Sequence, residues 1–172
     1  MLPGLPETNE CKKSNCFLHE SGSKGDHDTE SIVYRGECMT CLNQGPASRP
    51  KGDTVEMLVE RKPGTKSVYV GESGRSILVR GRQHIDALES PEKHTDNAFV
   101  KHSNEYHAGE NPEYKVSLVG SYPKPLQRQV MEGVLIRKYE IDNNVLMNSK
   151  MDHYAPAVGR MTISNAVNEP SA

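Results

Sequence analysis

The stretch Ser67-Val68-Tyr69-Val70-Gly71-Glu72-Ser73-Gly74-Arg75-Ser76-Ile77-Leu78-Val79-Arg80-Gly81-Arg82-Gln83-His84 decides the fold. Val68, Tyr69 and Val70 make a short β-rich run, so Ser67–Gly71 reads as a strand. A Gly/Ser turn follows, and a helix is expected from about Arg75 to Leu88. Leu78, Gly81, Ile85 and Leu88 form its expected inward stripe, which puts Arg80 and His84 on a flank. Arg80 and His84 are four residues apart, so they share one face. A strand-end tyrosine, a permanently charged guanidinium and an imidazole would then converge on one phosphate, for which the planar fork of arginine is the preferred partner.

Working outward, Ile32-Val33-Tyr34 reads as a first strand. Residues 42–53 are a loop by composition, Thr54–Glu60 is a candidate extra strand, and Pro63-Gly64 is a turn. A second helix is expected around Asn97–Tyr106. Tyr114, Val116 and Leu118 alternate with Lys115, Ser117 and Val119, which suits a third strand. Pro123 and Pro125 stop it and open a helix from about Leu126 to Tyr139. On that helix Leu126, Val130, Met131, Val134 and Leu135 fill one arc, and Glu132 falls outside it. The expected class is α/β (α+β): a small, mainly antiparallel three-stranded sheet flanked by helices. Residues 1–30, polar and without hydrophobic period, read as a partly disordered Cys-rich arm. A domain over 31–160 follows, with an insertion at about 42–64, and 161–172 form a tail.

The 172 residues include only two Phe and no Trp, so the core is modest and a metal or partner is expected to help stabilise it. No run approaches the ~20 apolar residues of a membrane span. The opening Met1-Leu2-Pro3-Gly4-Leu5-Pro6-Glu7 has neither the basic nor the apolar region of a secretory signal, so an intracellular address is expected, without structural disulfides. The net charge of −2 is unevenly spread. Residues 61–84 carry Arg61, Lys62, Lys66, Arg75, Arg80 and Arg82 against Glu72 alone, whereas both flanks are net acidic. This basic island coincides with the deciding stretch, which suits local phosphate contact rather than broad coating of DNA.

Cys11-x4-Cys16 and Cys38-x2-Cys41 are two pairs that together could hold one tetrahedral Zn2+, tying the arm to the first strand. Four free thiols are the alternative reading, and His19 and His27 are substitute ligands.

With these residues in hand, the chain resembles the GIY-YIG nuclease family. Ile32-Val33-Tyr34 is similar to the first signature half, with its leading Gly replaced, and Tyr69-Val70-Gly71 to the second. Arg80 and His84 match the helix arginine and the histidine that follows it. Glu132, within Glu132-Gly133-Val134-Leu135, matches the metal-holding glutamate, and Asn148 the asparagine near the domain's end. The Cys pairs around Tyr34, Gly71-Glu72-Ser73-Gly74-Arg75-Ser76 and Arg80-Gly81-Arg82-Gln83-His84 look most like endonuclease domains of Penelope-like retroelements. That resemblance implies a mobile-element origin and, in a eukaryote, a nuclear address. Family members join the two signature tyrosines by a short hairpin, whereas Tyr34 and Tyr69 stand 35 residues apart. If the intervening segment bulges out, they still lie on neighbouring strands; if Thr54–Glu60 pairs with Ser67–Gly71, Tyr34 is displaced.

The expected activity is DNA nicking or cleavage with Mg2+ or Mn2+, with no small-molecule cofactor. Glu132 would hold the ion, which keeps most of its waters and takes one or two carboxylates. Arg80 would clamp the phosphate, and Tyr34 would act as base through a pKa lowered by the metal and Arg80. Tyr69 would position water or phosphate, His84 would bond a tyrosine hydroxyl or relay its proton, and Asn148 would orient its neighbours. Lys66, Arg75 and Arg82 are the candidate DNA contacts. The rival readings are an inactive DNA-binding remnant and a zinc-dependent interaction module on the same scaffold.

Overall fold

A computed structural model describes residues 11, 16–20, 23, 25–44, 66–142 and 144–148. The candidate strand Thr54–Glu60, most of the insertion, and the chain beyond Asn148 lie outside the described residues. The elements run α1 (Phe17–Glu20), β1 (Ile32–Cys38), α2 (Met39–Gln44), β2 (Ser67–Ser73), α3 (Ile77–Glu89), α4 (Ala98–Tyr106), β3 (Tyr114–Ser121), α5 (Pro125–Ile141) and β4 (Val145–Leu146).

The fold is mixed α/β, with helices flanking a four-stranded sheet in the order β3-β1-β2-β4. β1 pairs antiparallel with β2 and β3, as expected. The expected three strands gain a fourth, since β4 adds parallel to β2 through Val145 and Leu146. Two residues are too few to leave a periodic signal. β2 abuts β1 directly, with Tyr34 opposite Gly71 and Gly36 opposite Tyr69. The two tyrosines are therefore diagonal neighbours on one face.

β1 is the central strand, and period two divides its side chains between two cores. Ile32 and Tyr34 join Cys16, Leu18, Ile77, Phe99 and Val116 on one side. Val33 meets Val68, Val70 and Ile136 on the other. Two glycines let the aromatic side close up. A Cβ at Gly71 would lie 2.7 Å from the Tyr34 hydroxyl, and one at Gly36 would collide with the Phe99 ring.

Four expectations change. The loop placed at 42–53 starts later, because α2 runs to Gln44. The described part of the arm is packed rather than loose: Cys16 and Leu18 are buried, the leucine alone contributing about 2 kcal/mol. In α3 the buried row is Ile77, Gly81, His84 and Ala87, so His84 faces the core rather than a flank. Its ring nitrogens have partners there, which offsets the cost of burying them. In α5 the apolar arc is split: Met131 and Leu135 pack against the core as expected, whereas Leu126, Val130 and Val134 are exposed and Arg128 and Ile136 are the buried positions. Arg128 is held there by Glu72 and two backbone carbonyls, and that satisfied polar anchor outweighs the apolar pattern. Among the described residues no helix is long and apolar enough to cross a membrane.

Candidate active site and metal centre

Ser76 caps α3, its hydroxyl accepting the Val79 N–H, and the helix then delivers Arg80 and His84 to the tyrosine pair. Arg80 Nη2 donates to the Tyr34 hydroxyl at 3.2 Å, and His84 Nε2 lies 3.0 Å from the same oxygen. The Tyr34 and Tyr69 ring centroids are 5.9 Å apart, with the rings tilted at 51°. The Glu132 carboxylate is near enough for its charge to push both phenols up. Side chains from β1, β2 and α3 thus meet in one place, and the charge of Glu132 on α5 reaches it.

The protonation states follow from the surroundings. Burial, reinforced by the Arg80 charge, brings the His84 pKa down to about 4, so the ring is neutral near pH 7. Asn97, the N-cap of α4, accepts the Phe99 N–H at its Oδ1, which turns its Nδ2 to His84 Nδ1 at 3.3 Å. That network assigns the acceptor role to Nδ1 and the proton to Nε2, which donates to Tyr34. Burial also raises Tyr34, and it outweighs the opposing pull of Arg80. The expected lowering of Tyr34 by Arg80 is therefore reversed in net sign. Tyr34 is 0% exposed, and Tyr69 is the partly exposed phenol of the two. Arg80 is half-buried, bonded also to Gln83, and its Nε is buried with no hydrogen-bond partner among the described residues.

Asn148 is nearly buried and acts on the backbone. Its Oδ1 accepts the Val70 N–H at 2.9 Å and its Nδ2 donates to the Val70 carbonyl at 2.7 Å. It continues the β4 ladder by side chain and fixes β2 between Tyr69 and Gly71. Lys66 pairs with Glu37 at 3.2 Å, just before β2 and away from the Arg80 end of the strand. Arg82 lies 4.7 Å over the Phe17 ring. Arg75 is exposed in the turn before α3. None of these three joins the cluster.

The four cysteines are not brought to one point, which corrects the single-zinc expectation. All four are free thiols. Cys38 and Cys41 instead meet His102 and His107, and their four donor atoms lie within 4.8 Å of one another. Cys38 Sγ is 3.4 Å from His107 Nε2, and Cys41 Sγ is 3.4 Å from His102 Nε2 and 3.3 Å from His107 Nε2. The two Nε2 atoms are 3.3 Å apart. Tetrahedral zinc with Zn–S of ~2.3 Å and Zn–N of ~2.0–2.1 Å gives S···N edges of about 3.5 Å and N···N edges of about 3.4 Å. The donor set fits a metal ion of that class. Hydrogen bonding from Cys38, then from His102, holds the Cys41 thiol well below its ordinary value against the effect of burial. The shared bond and burial push Cys38 up.

α4 links the two clusters. Its N-cap Asn97 touches His84, and its middle supplies His102, with His107 at the C-cap. Between them His84 stacks on Phe99 at 4.1 Å, and Phe99 stacks on Tyr114 at 4.5 Å. Asn97, His102 and His107 were missed from sequence, although His102-x4-His107 has ordinary zinc-ligand spacing. No protein-family model matches the chain, and no curated protein or solved structure shows detectable similarity to it.

Proposed function

We propose that this protein is a metal-dependent DNA endonuclease of the GIY-YIG type, built on a structural zinc centre. The observation that carries the reading is the meeting of Tyr34, Tyr69, Arg80 and His84 from three separate elements around one phenol hydroxyl, within reach of the Glu132 charge on α5.

Glu132 would hold Mg2+; a half-buried carboxylate beside two phenols fits an ion that binds through one or two carboxylates and keeps its waters. When bound, that ion supplies Lewis-acid polarisation of the phosphodiester and a more acidic water. Arg80 is only half-buried, so the part of its fork not taken up by Tyr34 and Gln83 would meet a phosphoryl oxygen. Tyr34 and neutral His84 brace the guanidinium from behind. Tyr69, partly exposed, is the phenol that faces water or phosphate, and Asn148 keeps its strand in place. The zinc class suits Cys38, Cys41, His102 and His107, which hold α4 against the sheet so that Asn97 and Phe99 meet His84. The resemblance to retroelement endonucleases points to a mobile-element origin.

The test is plasmid DNA incubated with Mg2+ and either wild type or Glu132→Gln. Nicking or linearisation by wild type, reduced at least 100-fold in the variant, is expected. Equal cleavage by both, or none by folded, zinc-loaded wild type, overturns the reading. The complete burial of Tyr34 favours the rival, a module that binds DNA without cutting it; DNA affinity unchanged by Mg2+ with no cleavage would select that rival.

A further inference from the structure

The N-terminal cysteines, released from the single-zinc expectation, form a cluster of their own. Cys11 Sγ, Cys16 Sγ and a nitrogen of His19 all lie within 4.8 Å of one another. His27 lies beside that cluster: its Nδ1 is 3.1 Å from Cys16 Sγ, and its ring centroid is 4.9 Å from that of His19. His27 is 0% exposed, and its Nε2 has no hydrogen-bond partner among the described residues. One thiol contact is poor compensation for burying a whole imidazole, because sulfur is a weak donor and acceptor. Ligation of an ion by Nδ1, the nitrogen beside Cys16, would give the ring a stronger partner than the thiol.

We propose that Cys11, Cys16, His19 and His27 bind a second metal ion of the zinc class, separate from the one on Cys38, Cys41, His102 and His107. Two sulfurs and two imidazoles are a closed structural donor set, with no position left for substrate. The site sits behind α3. The His27 carbonyl accepts the Leu78 N–H at 3.1 Å, satisfying a first-turn donor of that helix. Phe17 and Leu18, between the second and third ligands, pack on Gly81, where a Cβ would come within 3.2 Å of both. The ion therefore clamps the arm to the back of the helix that presents Arg80 and His84. This inference stands independently of the nuclease reading.

The experiment loads metal-free, full-length protein with Zn2+ alone, buffered by a competing chelator, and counts bound ions by native mass spectrometry. Wild type should bind two equivalents. Cys16 is buried and its replacement risks unfolding the arm, so the deciding variant is His19→Ala at an exposed position. It should retain one equivalent, lose the second by at least 10-fold in affinity, and speed hydrogen exchange at the Leu78 amide. His102→Ala should also retain one equivalent, and that ion should vanish when His19→Ala is added. A wild type that binds one ion, lost in His102→Ala and kept in His19→Ala, overturns the proposal. So does a Cys11–Cys16 disulfide in protein purified without oxidant.

Discussion

Asn97 Nδ2 lies 3.3 Å from His84 Nδ1, while the oxygen of the same amide caps α4 through the Phe99 N–H. One side chain thus starts a helix and sets the tautomer of a buried imidazole. The two roles are separable. Asn97→Ser keeps a competent cap but is too short to reach His84. Its melting temperature should stay within a few degrees of wild type, while Mg2+-dependent cleavage falls roughly 10-fold, as expected for a lost outer hydrogen bond to a site residue. Asn97→Ala should lose both, adding about 1 kcal/mol of destabilisation. Thermal melts beside single-turnover cleavage rates check this; equal cleavage by Asn97→Ser and wild type rejects it.

His84 also makes stability depend on pH. Its folded pKa is lowered from 6.5 to about 4 by burial and by the Arg80 charge. Between those values the unfolded chain binds more protons at this residue than the native state does. The contribution is therefore complete above about pH 6.5 and is lost as pH falls towards 4, by about 3 kcal/mol in all. Denaturant titrations at fixed Zn2+ should show wild type weakening faster than His84→Gln across that window. Parallel pH profiles would remove His84 as the cause.

Much of this site is legible in the sequence, for identifiable reasons. Tyr69, Arg80 and His84 lie within one local strand-turn-helix unit, where spacing alone sets relative direction. Tyr34 could be matched to Tyr69 because both strands are apolar and β-branched around the tyrosine. The candidate metal ligands were harder: four cysteines suggest pairing with one another, whereas the neighbours of Cys38 and Cys41 are histidines 61 to 69 positions away, on α4 and its cap. Helix α5 misleads in another way. Its apolar row Leu126, Val130 and Val134 is exposed, and the sequence does not announce that Arg128 finds its carboxylate and carbonyls inside.

Removing an ion from the proposed centre on Cys38, Cys41, His102 and His107 should act at a distance. Without it two thiols and two imidazoles are left crowded at the end of α4, and the aromatic stack through Tyr114, Phe99 and His84 loses its anchor. A strong Zn2+ chelator, with Mg2+ in excess, should lower the melting temperature by at least 10 °C and abolish cleavage, both restored by added Zn2+. His102→Ala should mimic the chelator. Full cleavage by zinc-free protein would show that the centre does not support the site.

Gly71 is where the two tyrosines pass over the backbone. An alanine Cβ there would stand 2.7 Å from the Tyr34 hydroxyl and 2.7 Å from the Tyr69 ring, so one or both must move. Overpacking of this kind costs about 1–3 kcal/mol. Gly71→Ala should therefore fold with reduced stability and lose cleavage by more than the stability change accounts for. Gly133→Ala is the control, since nothing lies within 4 Å of a Cβ at that position. It should match wild type in cleavage and be slightly more stable, as expected in a helix interior.

Arg128 stands one turn before Glu132 and sets the depth of α5 on the sheet. Its Nε donates to Glu72 at 2.8 Å, and its Nη1 to the Tyr122 and Pro123 carbonyls at 3.1 and 3.2 Å. The side chain is 9% exposed, so removing it strands a carboxylate and two carbonyls in a poorly hydrated place. Arg128→Ala should cost about 3 kcal/mol, as for one partner taken from a buried pair. Arg128→Lys keeps the charge but not the fork, so it should preserve most of the stability while letting Glu132 shift. The readout that separates anchoring from folding is the Mg2+ dependence of cleavage. Arg128→Lys should need several-fold more Mg2+ for half-maximal rate while approaching the wild-type maximum at saturation. An unchanged Mg2+ requirement in a folded Arg128→Lys protein would mean that this arginine does not position Glu132.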